Sequence, residues 1–209
     1  MAVLVGKKAP DFSTNAVVNG GEFVENFTLS QFKGKYVVLF FYPMDFTFVC
    51  PSEIIAFQKK IAEFEARNTQ VIGISVDSHF SHWAWLNTPQ NKGGIEGVKF
   101  PLVADFSKSI SENYDVLAGE YDYDDEGHSK FNGAPVAYRG LFLIDKDGTV
   151  RHQLVNDLPL GRNVDDTLRV IDALQHVEAH GEVCPAGWNK GDDAMTPTAD
   201  GVASYLSKH

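Results

Sequence analysis

The sequence predicts an α/β fold, because two apolar, β-forming segments flank one helical segment. Val37–Tyr42 is an unbroken run of valine, leucine and aromatic residues, which is typical of a buried strand. Gln70–Val76 has the same character. Between them, Ser52–Arg67 places isoleucine and phenylalanine at helical spacing. A strand, a helix and a strand in this order form the βαβ unit of an α/β sheet.

The elements predicted after this unit extend the same fold. A tight turn is expected at Asp145–Gly148, since an Asp-Gly sequence between two apolar segments favours a hairpin. A helix is expected over Asp165–His180, where leucine and isoleucine recur at helical spacing and Gly181 provides a C-cap. The shorter predicted elements are strands at Leu141–Ile144 and Val150–Val155 and helices at Phe80–Asn87 and Ser107–Tyr114.

The composition changes after Gly181, where glycine, proline, aspartate and lysine replace core-like residues. We therefore expect a globular domain over residues 1–181 and an extended C-terminal arm over residues 182–209. A second polar stretch, residues 119–134, is predicted to form a long acidic loop.

Charge and hydropathy limit the partners that this chain can have. Its net charge is −10 at pH 7, and the sequence contains no cluster of lysine and arginine of the kind that phosphate groups bind. Nucleic acids and anionic membranes are therefore not expected as partners. The longest apolar run, Tyr36–Tyr42, is far too short to span a bilayer. Met1–Lys8 contains no apolar segment of signal-peptide length, so we expect a cytoplasmic protein.

The chain has two cysteines, Cys50 and Cys184. A secreted protein of this size that depends on disulfides usually carries more. In a reducing compartment, such a pair is more often catalytic or inert than structural. Composition alone leaves both possibilities open.

The setting of Cys50 favours chemistry over an inert thiol. It follows the first predicted strand and opens the next helix, where the helix dipole and nearby backbone N–H groups favour a thiolate. Thr47 lies three residues earlier, so its hydroxyl can lie on the same side of the turn. Pro43 can shield the sulfur from water. Fast attack on a peroxide also requires preorganised donors that stabilise the leaving hydroxide.

Four motifs in this order resemble those of the 2-Cys peroxiredoxins. The spacing of Pro43, Thr47 and Cys50 matches the P-x-x-x-T-x-x-C active-site pattern of that family. The other three motifs resemble the segments that carry an active-site arginine, a second arginine and the resolving cysteine: Tyr138–Asp145, Val155–Arg162 and Gly181–Trp188. The resemblance extends over nearly the whole chain.

The resemblance implies a thioredoxin-like fold, in which helices flank a central mixed sheet and a C-terminal arm extends from it. It implies a cofactor-free peroxidase that reduces hydrogen peroxide and organic hydroperoxides as an antiparallel homodimer, closed into a decamer. Thioredoxin, or the flavoprotein of the alkyl hydroperoxide reductase system, would reduce the oxidised enzyme. The resemblance implies that Cys50 is the nucleophile that becomes a sulfenic acid and that Cys184 of the second subunit resolves it. It implies that Thr47 forms hydrogen bonds to peroxide and thiolate and that Arg139 stabilises charge. Glu53 would orient Arg139, and Arg162 would add to the positive field.

The sequence departs from the family pattern at three places. Residues 93–97 read Gly-Gly-Ile-Glu-Gly where members sensitive to overoxidation have Gly-Gly-Leu-Gly, and Tyr205-Leu206 stands where they have Tyr-Phe. These two changes predict intermediate to robust behaviour toward excess peroxide. The third departure is the long acidic stretch of residues 119–134, which affects the contacts expected for the reductase and for assembly.

Other functions were weighed against this interpretation. A dithiol oxidoreductase needs a Cys-x-x-Cys motif, but Glu53 occupies the position of the second cysteine. A redox-controlled chaperone (holdase) or a redox sensor on the same assembly stays open. His176 and His180 lie four residues apart, as in some metal sites, but no further ligands accompany them and a solvated or capping pair is expected. Residues 122–133 begin like a calcium loop but lack its final glutamate, so a solvated acidic loop is expected.

Overall fold

A seven-stranded mixed sheet forms the centre of the first part of the chain in this computed structural model, which describes residues 2–208. In chain order, the strands of the protein are β1 (Ser13–Val18), β2 (Glu22–Thr28), β3 (Tyr36–Phe41), β4 (Thr69–Ser75), β5 (Leu102–Ala104), β6 (Leu117–Tyr123), β7 (Ser129–Ala137), β8 (Arg139–Ile144) and β9 (Val150–Asn156). The sheet order is β2-β1-β5-β4-β3-β8-β9, with β3, β4 and β5 parallel and the other neighbours antiparallel. The predicted fold class, a mixed sheet flanked by helices, is confirmed.

The helices are α1 (Cys50–Lys59), α2 (Ile61–Glu65), α3 (His79–Leu86), α4 (Ser109–Asn113), α5 (Val164–His180) and α6 (Ala199–Leu206), with short 3-10 turns at Ser30–Phe32 and Gln90–Lys92. Contacts between Cα atoms divide the chain into two compact units, one ending at Arg162 and one beginning at Asn163. The domain boundary predicted at residue 181 stays a prediction. Among the described residues, no helix is both long and apolar enough to cross a bilayer.

The core of the first unit is built around β3 and β8. Every residue of both strands is buried, which explains their unbroken apolar sequences. The predicted βαβ unit is confirmed: β3 and β4 are parallel, with Val38 opposite Val71. The predicted hairpin is also confirmed, since β8 and β9 pair antiparallel on either side of the Asp145–Gly148 turn.

The helix predicted over Ser52–Arg67 differs from the observed structure in two ways. It begins two residues earlier, at Cys50, and it is interrupted at Lys60, whose ψ of 7° departs from helical geometry. The interruption separates Phe57 from Phe64, yet both rings are fully buried and their centroids lie 5.8 Å apart. Both rings are therefore buried on either side of an interruption that the sequence pattern did not reveal.

The long acidic loop predicted over residues 119–134 is wrong, because this segment forms an antiparallel hairpin of β6 and β7 in a sheet of its own. Tyr121 pairs with Phe131 across the two strands, and their rings meet edge to face at 4.9 Å. Asp124 closes the turn by accepting hydrogen bonds from two backbone N–H groups. Acidic and aromatic residues alternate along β6, which is typical of a strand, but the polar composition of the segment was interpreted as a loop.

The second unit contains the predicted helix α5 and one helix that the sequence did not reveal. Gly181 ends α5 with a left-handed φ of 68°, as the sequence predicted, and the side chain of Asn163 caps its N-terminus, which the sequence analysis did not identify. After Gly181 the chain forms a single antiparallel bridge, Val183 with Met195, and then the capped helix α6. The C-terminal segment is therefore more ordered than its polar composition suggested.

Candidate active site

Cys50 is the first residue of α1, and it lies in the turn that connects the buried strand β3 to this helix. It is fully buried. No side chain caps the helix at Val49, and the N–H groups of Ser52 and Glu53 donate to the carbonyl of Val49, so this first turn acts on the sulfur through the positive end of the helix dipole. A negatively charged sulfur is stabilised at this position.

Thr47 is the nearest hydrogen-bonding side chain to this sulfur. Its Oγ1 lies 2.9 Å from Cys50 Sγ and 2.8 Å from the carbonyl oxygen of Met44. A hydroxyl has one proton to donate, so it can donate to the carbonyl while accepting from a thiol, or donate to a thiolate. Thr47 can therefore serve both protonation states of Cys50, as its predicted role requires.

Arg139, the first residue of β8, reaches the same sulfur from the sheet. Its Nη1 donates to Cys50 Sγ at 3.4 Å and to Glu53 Oε2 at 2.6 Å, while its Nε donates to the carbonyl of Leu158 at 2.6 Å. These fixed acceptors hold the guanidinium in place against Cys50. The sequence-based expectation that Glu53 orients Arg139 agrees with this geometry.

Arg162 supports the site through its hydrogen bonds to Glu53. Its backbone N–H and its Nε donate to Glu53 Oε1 at 2.7 and 2.8 Å, and its Nη2 donates to Oε2 at 3.0 Å. Its Nη1 donates to the carbonyls of Phe41 and Gly140, on the neighbouring strands β3 and β8. Arg162 therefore joins the first turn of α1 to the centre of the sheet.

The charges of this cluster favour a negative sulfur. The side chains of Arg139, Glu53 and Arg162 are at most 3% exposed, so water screens them little. Burial opposes the ionisation of Glu53, but Arg162 and Arg139 more than compensate and hold its pKa below the usual value. Burial lowers the pKa of Arg162, and Glu53 partly restores it. Two cations and one anion leave a single positive charge, which a thiolate at Cys50 balances.

The predicted site residues do not all meet in one place. Cys50, Thr47, Glu53, Arg139 and Arg162 form one contact network, as described above. Pro43 is buried directly after β3, on the chain that leads to Thr47. Cys184 belongs to the second unit, where it is half-buried and its Sγ lies 3.7 Å from the carbonyl of Ala173 in α5. Both cysteines are free thiols.

A buried polar network beneath the active-site loop escaped the sequence analysis. The carboxylate of Asp45 accepts from the hydroxyl of Tyr42 at 2.9 Å and lies 2.8 Å from His82 Nδ1. The backbone N–H of Asp45 donates to Asp77, which also accepts from Ser75. The position of Asp45 between Pro43 and Thr47 was the one available signal, but nothing in the sequence connects it to His82. The network holds the loop that carries Thr47.

The surroundings of His82 favour its protonated form, because both of its ring nitrogens face acceptors. Nδ1 donates to the Asp45 carboxylate, and Nε2 donates to the carbonyl of Val103 at 3.2 Å. Burial alone would lower the pKa of His82, but the hydrogen bond and charge of Asp45, together with the charge of Asp77, raise it above its usual value. Phe46, the next residue of the loop, has a left-handed φ of 55°, a conformation that is strained for a bulky residue.

The histidine pair on α5 takes part in local contacts. The rings of His176 and His180 stack with centroids 4.3 Å apart, and His176 Nε2 lies 2.9 Å from Glu182 Oε2. Within residues 2–208, no group of three or more histidine, cysteine, aspartate or glutamate side chains is arranged to hold a metal ion.

Comparison with known proteins agrees with this geometry. Residues 5–153 match the AhpC/TSA family, and residues 173–208 match the C-terminal domain of 1-Cys peroxiredoxin. Alkyl hydroperoxide reductase C of Helicobacter pylori is 54% identical over 99% of this chain and 98% of its own length. Peroxiredoxin-2 of Mus musculus is 51% identical over 98% of this chain and 96% of its own. The reduced 2-Cys peroxiredoxin of Plasmodium vivax superposes with a TM-score of 0.88 at 49% identity, covering 99% of this chain and all of that one. The chain therefore belongs to the AhpC/TSA family, the peroxiredoxins, and is a thiol peroxidase.

Proposed function

We propose that Cys50 reduces hydrogen peroxide and organic hydroperoxides, and that Cys184 of a second copy of the chain resolves the oxidised product. The main support for peroxide reduction by Cys50 is that the Thr47 hydroxyl, the Arg139 guanidinium and the start of α1 all meet at its buried sulfur. These donors favour the thiolate before the reaction and can bind the peroxide oxygens during it.

The first step transfers one oxygen atom to Cys50. The thiolate attacks the terminal oxygen of ROOH, the O–O bond breaks, and Cys50 becomes a sulfenic acid. The RO⁻ group leaves and takes up a proton to give ROH, or water when the substrate is hydrogen peroxide. Arg139 stabilises the negative charge as it moves from sulfur to the leaving oxygen, and Thr47 is placed to donate to either atom. Pro43 keeps water from this side of the loop.

The second step regenerates the enzyme through a disulfide. The Cys184 thiol attacks the sulfenic sulfur of Cys50, a disulfide forms and water leaves. Thioredoxin, or the flavoprotein of an alkyl hydroperoxide reductase system, then reduces the disulfide to two thiols. We place the enzyme in the cytoplasm, where the reducing environment keeps protein thiols reduced.

The family forms oligomers, and for this chain we propose a homodimer that closes into a decamer. The ring of Phe23 packs against those of Phe80 and Trp83, with centroid distances of 5.7 and 6.2 Å, yet each of the three residues remains 44–65% exposed. An exposed aromatic cluster of this kind marks a protein contact surface. It includes α3, the helix whose His82 holds the active-site loop, so assembly and active-site geometry share one helix.

A coupled assay tests the proposal. Peroxide-dependent consumption of NADPH is measured with thioredoxin and thioredoxin reductase, and NADH consumption with the flavoprotein reductase. Cys50→Ser should abolish both, while Cys184→Ser should retain a single oxidation and lose turnover. Peptide mapping of oxidised protein should find Cys50 joined to Cys184 in a covalent dimer. Full turnover of Cys50→Ser would refute the assignment, and a holdase or sensor without peroxidase activity would consume neither cofactor.

A further inference from the structure

One histidine of α5 contacts the chain on both sides of the second cysteine. His176 Nε2 lies 2.9 Å from Glu182 Oε2, two residues before Cys184. The His176 ring also lies 4.8 Å from the ring of Trp188, four residues after Cys184. His176 is therefore positioned to hold both ends of the arm segment, defined here as residues 182–188.

The two contacts differ in strength and in exposure. The side chain of His176 is 21% exposed and that of Glu182 is 40% exposed, so solvent partly screens their hydrogen bond. Trp188 is buried, and its indole donates to the carbonyl of Asp192 while its own carbonyl accepts from Arg169. The end of the arm segment after Cys184 is therefore anchored by side-chain hydrogen bonds, whereas before Cys184 the backbone of Val183 pairs with Met195 and the side chain of Glu182 contacts His176.

The arm segment holds Cys184 as a thiol directed at its own helix. Its Sγ donates to the carbonyl of Ala173 in α5 at 3.7 Å. Burial, and then the negative charge of Glu182, raise the pKa of Cys184 above its usual value. To form a disulfide, this sulfur must come within about 2.05 Å of another sulfur, so it has to leave the carbonyl of Ala173.

We propose that His176 is a positioning residue that restrains Cys184 through Glu182, and that this contact must break before Cys184 can reach the sulfenic acid of Cys50. The inference rests on the proposed function, in which Cys184 is the resolving cysteine. Sulfenic Cys50 has two fates. It condenses with the Cys184 thiol to a disulfide and water, or a second ROOH oxidises it to sulfinic acid with release of ROH. A restraint on Cys184 slows the first reaction and leaves the second unchanged.

Three variants separate the hydrogen bond from the ring contacts. His176→Phe keeps a ring beside Trp188 but removes the donor to Glu182. His176→Gln loses the ring but keeps an N–H donor near the position of Nε2. Glu182→Ala removes the acceptor and is combined with His176→Phe in a double variant. His128→Phe changes an exposed histidine of the β6–β7 hairpin and is the matched control.

The experiment treats reduced protein with one equivalent of hydrogen peroxide and follows sulfenic acid and disulfide after rapid quenching. In His176→Phe we expect unchanged formation of sulfenic acid and about two- to fivefold faster disulfide formation. The loss of one exposed pair or one hydrogen bond changes an equilibrium by about this factor. His176→Gln and His128→Phe should stay within about twofold of wild type. Glu182→Ala alone changes the reactivity of the Cys184 thiol, and alkylation of Cys184 measures this change. The double variant should form the disulfide faster than His176→Phe by no more than this change in reactivity.

The sulfinic acid formed at Cys50 under rising peroxide, measured by mass spectrometry, should fall in His176→Phe by the same factor. Wild-type or slower disulfide formation in His176→Phe would overturn the inference, and so would equal acceleration in His176→Gln. Failure of the proposed function gives a different result, because Cys184→Ser would then still turn over with the reductase. If Cys184→Ser loses turnover and His176→Phe forms the disulfide at the wild-type rate, the restraint alone is refuted.

Discussion

Replacing Glu53 with glutamine tests whether one buried carboxylate holds both arginines of the site. Glu53 is 4% exposed, and its oxygens accept three hydrogen bonds from Arg162 and one from Arg139. The amide keeps the shape, but it loses the charge and places an NH₂ group against guanidinium donors. Removing one partner of a buried ion pair costs about 3–5 kcal/mol, because the remaining charge is left unpaired. We expect Glu53→Gln to lower the free energy of unfolding by about this amount at pH 7.

The pH dependence of this difference has a definite sign. Burial opposes the ionisation of Glu53, but the two arginines hold its pKa in the folded protein below the usual value. Such a group contributes stability that is complete above its unfolded pKa, near 4.3, and that is lost as the pH falls through the folded pKa. The difference in unfolding free energy between wild type and Glu53→Gln should therefore be largest near neutral pH and should narrow below about pH 4.3.

Urea unfolding at a fixed protein concentration, followed by circular dichroism at pH 7 and at pH 4, measures both effects. The matched control is Glu63→Gln. Glu63 pairs with Lys60 at 3.0 Å, but the two side chains are 47% and 38% exposed, so their pair contributes less than about 1 kcal/mol. A loss of stability in Glu53→Gln no larger than that in Glu63→Gln would show that Glu53 is not the counter-ion of the buried arginines.

Three further changes address the rest of the site and the fold. Thr47→Val should slow the attack of Cys50 on peroxide by about 10- to 100-fold, because a hydrogen bond to a charged group contributes roughly 1.5–3 kcal/mol. Thr47→Ser keeps the hydroxyl and should stay within about threefold of the wild-type rate. Equal stopped-flow rates for the two variants would contradict this expectation. The raised pKa of His82 means that its ion pair with Asp45 stabilises the fold below the ordinary pKa of histidine and that this stability is lost as the pH rises through the folded pKa. His82→Gln should therefore lack this loss of stability at high pH. Parallel melting profiles of variant and wild type from pH 6 to 9 would contradict this expectation. Replacing residues 120–132 with Asn-Gly should leave peroxide reduction within about twofold, because the β6–β7 hairpin forms a separate sheet; a large loss would place the hairpin in the active site.

The parts of the fold that the sequence predicted are those in which local pattern and burial agree. The strand Tyr36–Phe41 is apolar on both faces and is buried on both. The helix Val164–His180 has a capping asparagine at its start and a glycine at its end. The β6–β7 hairpin was missed because its acidic residues alternate with tyrosine and phenylalanine outside the main core. The break at Lys60 was missed because tertiary packing of two phenylalanine rings, rather than proline or glycine, accompanies it.

The residues of the site also divide into those that local sequence places together and those that only the fold brings together. Thr47 and Cys50 lie three residues apart in one turn, so local geometry places them together without knowledge of the fold. The contacts of Glu53 with Arg139 and Arg162 join residues 86 and 109 positions apart, and the motifs identified these residues without giving their connections. The pairing of Asp45 with His82 had no motif to indicate it. A lone histidine on a helix is as easily a surface residue as a buried cation, and only the fold distinguishes the two.

The two cysteines are held by contacts of different strength, and this difference bears on which groups would move in the proposed resolution. The sulfur of Cys50 accepts from Thr47 and from Arg139, but Arg139 is independently fixed by Glu53 and the carbonyl of Leu158. Cys50 can therefore leave its position without breaking the buried ion pairs, whose loss would cost about 3–5 kcal/mol. The thiol of Cys184 makes one long S–H···O contact, and the pair formed by Glu182 is partly exposed and contributes less than about 1 kcal/mol. The backbone of Val183, beside Cys184, forms two hydrogen bonds with Met195. Since local opening occurs where stabilising contacts are weakest, the cysteines can approach each other while the arginine cluster remains intact and ready for the next peroxide.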